Sequence, residues 1–145
     1  MKISIGADHA GFSLKELFKE HLEKNGHEVI DFGTHSKESV DYPDYAVMVS
    51  NHVAEGKSDL GVLVCGTGIG MSMAANKVKG IRAAVCHDAY SAHATKTHND
   101  ANVLCIGERI IGPGYALMIL DEFVNTTFEG GRHTRRVDKI NCIGE

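Results

Sequence analysis

The chain has 145 residues, which suits one compact domain and leaves little room for a second. Hydrophobic residues make up 43% and charged residues 23%, a balance typical of a soluble globular protein. The formal charge of -4 argues against a nucleic acid or a membrane surface as partner, because no basic face dominates. No apolar run approaches the roughly 20 residues that span a bilayer.

Short apolar runs alternate with stretches of helical period along the whole chain. The pattern predicts strands at residues 2–5, 28–32, 60–65, 81–86 and 102–106. It predicts helices at residues 11–24, 43–55, 72–77, 89–97, 114–127 and 132–140. Five strands alternating with helices indicate an α/β fold, a doubly wound parallel sheet with helices on both faces, in a single domain of residues 1–145.

In such a sheet, ligands bind at the carboxyl ends of the strands. The predicted elements therefore place residues 6–10, 65–70, 87–88 and 107–109 on one rim. The amino terminus begins directly in a strand pattern, so no leader segment is expected.

Residues 65–70 form a glycine-rich loop with the sequence Cys-Gly-Thr-Gly-Ile-Gly. Alternate glycines let the backbone approach a ligand closely and let successive N–H groups point at an oxyanion. The helix predicted after the loop would add partial positive charge at the same place. A tight strand-to-helix turn without a ligand is the alternative.

Two nucleotide-binding motifs fit this loop poorly. A dinucleotide fingerprint needs G-x-G-x-x-G, whereas here Met71 follows directly on G-x-G-x-G. Asp88 lies about where a ribose-binding acid is expected, so a nucleotide-binding module stays an alternative. The phosphate loop of nucleotide hydrolases is excluded because no G-K-[ST] follows.

Cys65 ends the most apolar predicted strand, immediately before the glycine loop. The field of the loop would favour its thiolate, which makes Cys65 a candidate general base; a small buried hydrophobe is the alternative. Cys86, Cys105 and Cys142 are interpreted as such packing residues. Because no C-x-x-C occurs, neither a zinc site nor a disulfide framework is predicted, and reduced thiols in a cytoplasmic protein are expected.

Two polar segments are further candidates. Asp8 and His9 follow the first strand, where they can bind sugar hydroxyls or phosphate, although an Asp often only caps the next helix. His98, Asn99 and Asp100 follow a predicted helix and indicate either a proton shuttle or an ordinary polar loop.

A basic segment near the carboxyl terminus reads Gly-Gly-Arg-His-Thr-Arg-Arg at residues 130–136. On a helix, Arg132 and Arg136 are i, i+4 neighbours and would form a two-guanidinium clamp for a phosphate. A solvated charged face is the alternative. Five other histidines are interpreted as surface or packing residues: His21, His27, His35, His52 and His93.

Five ordered blocks of this sequence resemble the ribose-5-phosphate isomerase type B family. They read MKISIGADHAGFSLK, DYPDYA, VCGTGIGMSMAANKVKGIRAAV, HNDANVLCIGERIIG and FEGGRHTRRV. The resemblance runs from residue 1 to about residue 140. The same superfamily includes the two subunits of galactose-6-phosphate isomerase. One branch of the family uses a glutamate base just after the glycine loop, and Met71, Ser72 and Met73 stand there instead, which favours the cysteine mechanism.

The resemblance implies a Rossmann-like fold and a homodimer, possibly a tetramer, that works without metal or cofactor through an enediolate. It implies that Cys65 is the base, that Thr67 relays a proton between O1 and O2, and that His98 opens the furanose ring. Further implied contacts are Gly66, Gly68, Ile69 and Gly70 for the enediolate oxygens, Asp8 for the ring oxygen or hydroxyls, Asn99 for a hydroxyl, and His9, Arg109, Arg132 and Arg136 for the phosphate. His133 is a rival to His98, and the helix at 129–140 is expected to reach the partner's site.

The predicted function is therefore the interconversion of ribose 5-phosphate and ribulose 5-phosphate in the pentose phosphate pathway. A hexose 6-phosphate isomerase, for galactose, tagatose or allose phosphates, is the alternative within the family. The galactose enzymes need two unlike subunits, whereas this one chain carries base, loop and arginines together. A non-catalytic nucleotide-binding α/β module is the alternative from another class. No set of His, Cys and carboxylate residues has metal-ligand spacing, so no metal site is predicted.

Overall fold

The computed structural model describes residues 1–144 as one α/β domain. Its strands are β1 (Lys2–Ala7), β2 (Glu28–Asp31), β3 (Leu60–Cys65), β4 (Ala83–Val85) and β5 (Val103–Gly107). Its helices are α1 (Phe12–Lys24), α2 (Tyr42–Ala54), α3 (Ile69–Ala75), α4 (Ala89–Asn99), α5 (Pro113–Asn125) and α6 (Thr134–Asn141), and a 3₁₀ turn (Gly131–His133) precedes α6.

The five strands form a parallel sheet in the order β2-β1-β3-β5-β4. The predicted five-stranded parallel sheet is thereby confirmed. The last strand of the sequence, β5, lies inside the sheet between β3 and β4, so β4 forms an edge. Strand β3 lies between β1 and β5 at the centre of the sheet and is fully buried, which agrees with its unbroken apolar sequence.

Helices cover both faces of the sheet, as predicted. Helices α1, α4 and α5 pack on one face, where Phe18 and Phe123 are fully buried. Helices α2 and α3 pack on the other face, around Val49 and Met71. Among the described residues, no helix combines the length and the hydropathy needed to cross a bilayer.

Several predicted boundaries were wrong. The helix expected at 72–77 begins at Ile69 and ends at Ala75, because Gly68 adopts a left-handed conformation with φ of 77° and turns the chain into the helix inside the glycine loop. The strand expected at 81–86 shortens to Ala83–Val85, an edge strand with only one neighbour. The last predicted helix begins instead with the 3₁₀ turn.

All strands are parallel, so the sheet has one carboxyl edge and one amino edge. Helix α4 starts after β4 at the carboxyl edge and ends before β5 at the amino edge. The carboxyl-terminal segment is tied to the amino edge, because the Glu129 N–H donates to the Thr97 carbonyl at 3.1 Å and Arg82 Nη1 donates to Asn141 Oδ1 at 3.0 Å. Residues on α4's last turn and on this segment therefore lie close together.

Candidate active site

A cleft of about 450 Å³ lies at the carboxyl edge, where β1, β3 and β5 end. Its lining comprises Asp8, His9, Ala10, Tyr42, Cys65, Gly66, Thr67, Ile69, Gly70, Met73 and Arg109. The rim predicted from the sequence is thus the place where a ligand-sized cavity forms. Eight of the thirteen predicted site residues line this cleft, and a ninth, Gly68, belongs to its glycine loop.

Cys65 lies at the bottom of this cleft and is only 4% exposed. The Gly68 N–H donates to its Sγ at 3.1 Å, and the Glu108 N–H donates to its carbonyl at 2.9 Å. An N–H directed at sulfur stabilises negative charge there, because a thiolate is the better acceptor. The position therefore suits a thiol that must lose and regain a proton.

The other three thiols lie in different surroundings. Burial, reinforced by the Asp88 carboxylate, raises the pKa of Cys86 to about 11. Burial also raises the pKa of Cys105, which has no exposure to solvent. Both stay protonated at neutral pH, which agrees with their interpretation as packing residues. That interpretation is wrong for Cys142, which is exposed just after α6.

The glycine loop is fitted closely between two other elements. A Cβ on Gly68 would lie 3.0 Å from the Ile106 backbone of β5, and one on Gly70 would lie 2.6 Å from the Tyr42 ring at the start of α2. The Arg109 guanidinium lies over Gly66, 3.3 Å from the place of a Cβ there. A Cβ at Gly68 or Gly70 would collide with these neighbours, so loop, tyrosine and arginine form one closely packed wall of the cleft.

Asp8 and His9 are both fixed by backbone N–H groups. Asp8 Oδ1 accepts from the N–H groups of Ala10 and Gly11 at 2.9 and 3.1 Å. His9 Nδ1 accepts from the Val40 N–H at 3.2 Å. A ring nitrogen that accepts carries no proton, so the proton of neutral His9 is on Nε2. His9 therefore presents a donor, as an anion requires.

Sequence reasoning placed His87 and Asp88 on the rim but gave His87 no function. The Gly107 N–H donates to His87 Nε2 at 3.0 Å. Burial lowers the pKa of His87 by more than the negative charge of Asp88 raises it. The ring therefore stays neutral, and its Nε2 can accept this hydrogen bond. His87 thus fixes the end of β5, next to the glycine loop. Tyr42 was also missed as a site residue, although it opens the DYPDYA block.

A second group of predicted site residues lies at the amino edge. The rings of His98 and His133 stack with centroids 4.5 Å apart and planes 18° apart. Glu129 Oε2 lies 3.6 Å from His133 Nε2. Burial lowers the pKa of His133, helped by the charges of His98, Arg132 and Arg136 and opposed by Glu129. The donor atoms of His98, Glu129 and His133 lie within 4.8 Å of one another, so one set of side chains does have ligand spacing in the fold, contrary to the expectation from the sequence. The prediction that the protein works without a metal stays a prediction.

Arg132 and Arg136 do not share one helix as predicted, since Arg132 lies in the 3₁₀ turn and Arg136 in α6. They stay adjacent, because Arg136 Nη1 donates to the Arg132 carbonyl at 3.4 Å. Both side chains are exposed, and so is Asn99 at the end of α4. The two arginines are therefore neighbours on the surface, and their use as a phosphate clamp stays a prediction.

The two groups are at opposite edges of the sheet. Helix α4 has 11 residues and spans about 16 Å from the carboxyl edge to His98. One chain therefore brings Asp8, His9, Cys65, Thr67 and Arg109 together. It does not bring His98, Asn99, Arg132 or Arg136 to them.

Comparison with known proteins gives consistent results. The family model for ribose/galactose isomerase matches residues 3–140. Ribose-5-phosphate isomerase B of Escherichia coli is 51% identical over 142 residues, covering 98% of this chain and 95% of that protein. The structure of ribose-5-phosphate isomerase B from Clostridium thermocellum has a TM-score of 0.96 and 54% identity, covering 97% of this chain and 95% of that one.

A further solved structure contains a sugar phosphate. It is ribose-5-phosphate isomerase B from Mycoplasma genitalium with bound ribulose 5-phosphate. Its TM-score is 0.93 and its identity 43%, covering 97% of this chain and 93% of that one.

Proposed function

The chain belongs to the ribose/galactose isomerase family, and on this premise we propose that it interconverts D-ribose 5-phosphate and D-ribulose 5-phosphate through an enediolate. The relatives and the ribulose 5-phosphate complex support the substrate. The observation that carries the chemistry is the Cys65 thiol, which lies in the cleft with an N–H of the glycine loop directed at its sulfur.

Cys65 acts as the base in this proposal. Its thiolate removes the proton from C2 of the open-chain aldose and returns it to C1. The proton on O2 moves to O1, so the atoms and electrons balance without an oxidant or reductant. We assign this second transfer to Thr67, because it lines the cleft and its Oγ1 accepts from the Ile69 N–H at 3.3 Å.

The glycine loop stabilises the enediolate. Negative charge develops on O1 and O2 when C2 loses its proton, and backbone N–H groups held by the loop can meet that charge without reorganising. Loss of one such donor typically costs about 2.7–4 kcal/mol of transition-state stabilisation. Helix α3 has only 7 residues, so its dipole adds little to this stabilisation.

The phosphate and the hydroxyls are bound by the other side chains of the cleft. His9 donates from Nε2 and Arg109 offers a fork of N–H donors, both suited to a phosphate dianion. Asp8 Oδ1 accepts hydrogen bonds from two N–H groups of its own turn. We therefore assign Oδ2 to the contact with a sugar hydroxyl or with the ring oxygen.

A second copy of the chain completes the site. His98, Asn99, Arg132 and Arg136 are exposed or half-buried at the amino edge, away from Cys65 of the same chain. The cleft in turn exposes apolar side chains, Tyr42, Ile69 and Met73, that a partner would cover. In a homodimer with twofold symmetry, each chain then supplies ring-opening acid, hydroxyl ligand and arginine clamp to its partner. Assembly beyond the dimer stays a prediction.

A cytoplasmic location is part of the proposal. All four cysteines are free, and three of them are buried in the core. Disulfides are rare in the reducing cytoplasm, which agrees with this arrangement.

A substrate comparison tests the function directly. The purified protein is assayed with ribose 5-phosphate, allose 6-phosphate and galactose 6-phosphate, and its binding of a fluorescent adenine nucleotide is measured in parallel. We expect the highest kcat/KM with ribose 5-phosphate and no adenylate binding. A higher kcat/KM with a hexose phosphate would contradict the pentose assignment. Nucleotide binding without isomerisation would identify a non-catalytic module.

A further inference from the structure

Three donor side chains meet at the amino edge of the sheet, and they are called the histidine–glutamate cluster here: His98, Glu129 and His133. Their donor atoms lie within 4.8 Å of one another. The backbone under them is held, because the Glu129 N–H donates to Thr97 on α4 and the His133 N–H donates to Gly130, each at 3.1 Å. The cluster is thus a fixed feature of the fold, formed from two segments some thirty residues apart in sequence.

The spacing is close to that of a zinc site. Zinc binds nitrogen and oxygen at about 2.0–2.2 Å, so tetrahedral donors lie roughly 3.3 Å apart. Glu129 and His133 are already 3.6 Å apart, and the Glu129 side chain is 59% exposed and free to adjust. The two rings are nearly parallel, so one must turn about its Cβ–Cγ bond to point at a shared ion. His98 is the less buried of the two and is the ring that we expect to turn.

The donor set also selects the metal. Two imidazoles and one carboxylate suit Zn²⁺ or Co²⁺, and three protein ligands leave the fourth position to water. Arg132 and Arg136 carry positive charge beside His133 and oppose any cation held by charge alone. Mg²⁺, which prefers oxygen ligands and keeps its water, is therefore not expected to bind.

We propose that the histidine–glutamate cluster binds Zn²⁺ and that the bound ion inhibits the enzyme. Metal on the His98 ring takes the nitrogen that would hold the proton for opening the furanose. Binding follows from the cluster alone, whereas inhibition also rests on the proposed function of His98. The proposal agrees with a reaction that needs no metal, because the bound ion inhibits the enzyme and takes no part in the reaction.

Metal binding is measured first, on the full chain freed of metal with a chelator. Zn²⁺ is titrated by calorimetry and Co²⁺ by visible absorption. We expect one ion per chain, and at least about tenfold weaker binding in Glu129→Gln and in His133→Asn. The matched control is His93→Asn, which removes an exposed histidine paired with Glu122 at 2.6 Å and leaves the cluster intact. This control should bind like the unsubstituted chain, and Mg²⁺ should give no heat.

Three results would overturn the binding. They are no saturable uptake of Zn²⁺ or Co²⁺, equal binding in Glu129→Gln and His133→Asn, or loss of binding in Cys65→Ser. The last result, with a thiolate-to-cobalt charge-transfer band in the unsubstituted chain, would place the metal at Cys65 instead.

Inhibition is measured separately, by isomerisation of ribose 5-phosphate with increasing Zn²⁺. We expect loss of activity that a chelator reverses, and no loss of activity on chelation alone. Glu129→Gln should keep its activity and need at least about tenfold more Zn²⁺ for the same inhibition. Equal inhibition in Glu129→Gln would overturn the proposal. Binding at the cluster without inhibition would overturn the inhibitory part and the assignment of His98 as ring-opening acid.

Discussion

At the scale of single residues, the position of a thiol decides what it can do. Cys65 and Cys105 are on neighbouring strands and both are buried, yet only Cys65 lies at a strand end beside the cleft. The Gly68 N–H contacts the sulfur of Cys65, whereas burial raises the pKa of Cys105. A thiolate base is therefore reasonable at one position and unfavourable at the other.

The first prediction concerns Cys65→Ala. Removal of the base should lower kcat for ribose 5-phosphate by at least about 10²–10⁴-fold, because general base catalysis typically contributes that much. The fold and the KM should change little, since alanine leaves only a small cavity. Steady-state kinetics and urea unfolding of the same preparation measure both effects.

Cys142→Ala is the matched control, because it removes an exposed thiol far from the cleft lining. Its kcat should stay near that of the unsubstituted chain, and single substitutions of Cys86 and Cys105 should keep most activity. Bound substrate should protect Cys65 from iodoacetamide. A near-normal kcat in Cys65→Ala would rule out the thiol as base.

At the scale of secondary structure, β5 holds the glycine loop in place. The N–H of Arg109, just after β5, donates to the Gly66 carbonyl at 3.1 Å. The end of β5 is itself fixed by the bond from the Gly107 N–H to His87. The geometry of the loop therefore depends on a strand whose own residues are not part of the cleft lining, although Arg109 just beyond it is.

A buried ion pair joins helix α1 to strand β2. Lys15 on α1 is fully buried, and its Nζ donates to Asp31 Oδ2 at the end of β2 at 2.7 Å. The pKa of Asp31 is lowered overall. Burial alone would raise it, but the hydrogen bond and the charge of Lys15, together with the Gly33 N–H and the charge of Lys19, outweigh the effect of burial. The pair specifies how α1 docks onto β2, next to the turn that carries Asp8 and His9.

The second prediction concerns Gly107→Ala at the end of β5. A Cβ there would lie 2.7 Å from the Thr67 backbone and 2.8 Å from the Gly66 carbonyl, so the loop must shift. We expect about 1–3 kcal/mol less stability, as is typical of overpacking, and a clear loss of kcat. Urea unfolding and steady-state kinetics measure the two effects.

Gly112→Ala provides the comparison, because a Cβ at Gly112 meets nothing within 4 Å and its φ is -70°. This variant should keep both stability and kcat. If Gly107→Ala unfolded more easily but kept its kcat, the loop would not hold the donors for the enediolate.

At the scale of the whole molecule, the parallel sheet separates the candidate residues. All five strands end at the carboxyl edge of the sheet, and the helix after each strand runs back toward the amino edge. Cys65 ends a strand and His98 ends a helix, so one chain cannot bring them together. In the proposed symmetric dimer, Cys65 of each chain would meet His98 of the other chain, so the pair would form twice.

The third prediction tests this shared site with two inactive variants. Cys65→Ala lacks the base, and Arg136→Ala lacks half of the clamp and should show a much higher KM for the phosphorylated sugar. Mixed chains should form hybrid dimers with one intact site. Random exchange makes half of the dimers hybrids, so the mixture should recover roughly a quarter of normal activity.

Native mass spectrometry establishes whether hybrid dimers are present. A mixture of Cys65→Ala with itself, treated in the same way, should recover nothing. Hybrid dimers without recovered activity would contradict the shared site and would assign the arginines to the site of their own chain.

The sequence by itself determined the fold class and most residues of the cleft. Hydrophobic period is a local property, so five strands and the helices between them follow from short windows, and the glycine loop after Cys65 follows from conformations that only glycine adopts easily. The five blocks that resemble a known family identified the same residues by a second route.

Only the tertiary structure decided the strand order, the separation of His98 from Cys65, and the histidine–glutamate cluster. The physical reason is the same in each case. Strand order is set by which apolar faces the helices cover, and contacts between segments some thirty residues apart depend on the direction of α4 across the sheet. Neither is encoded in a local pattern, since both arise from long-range packing.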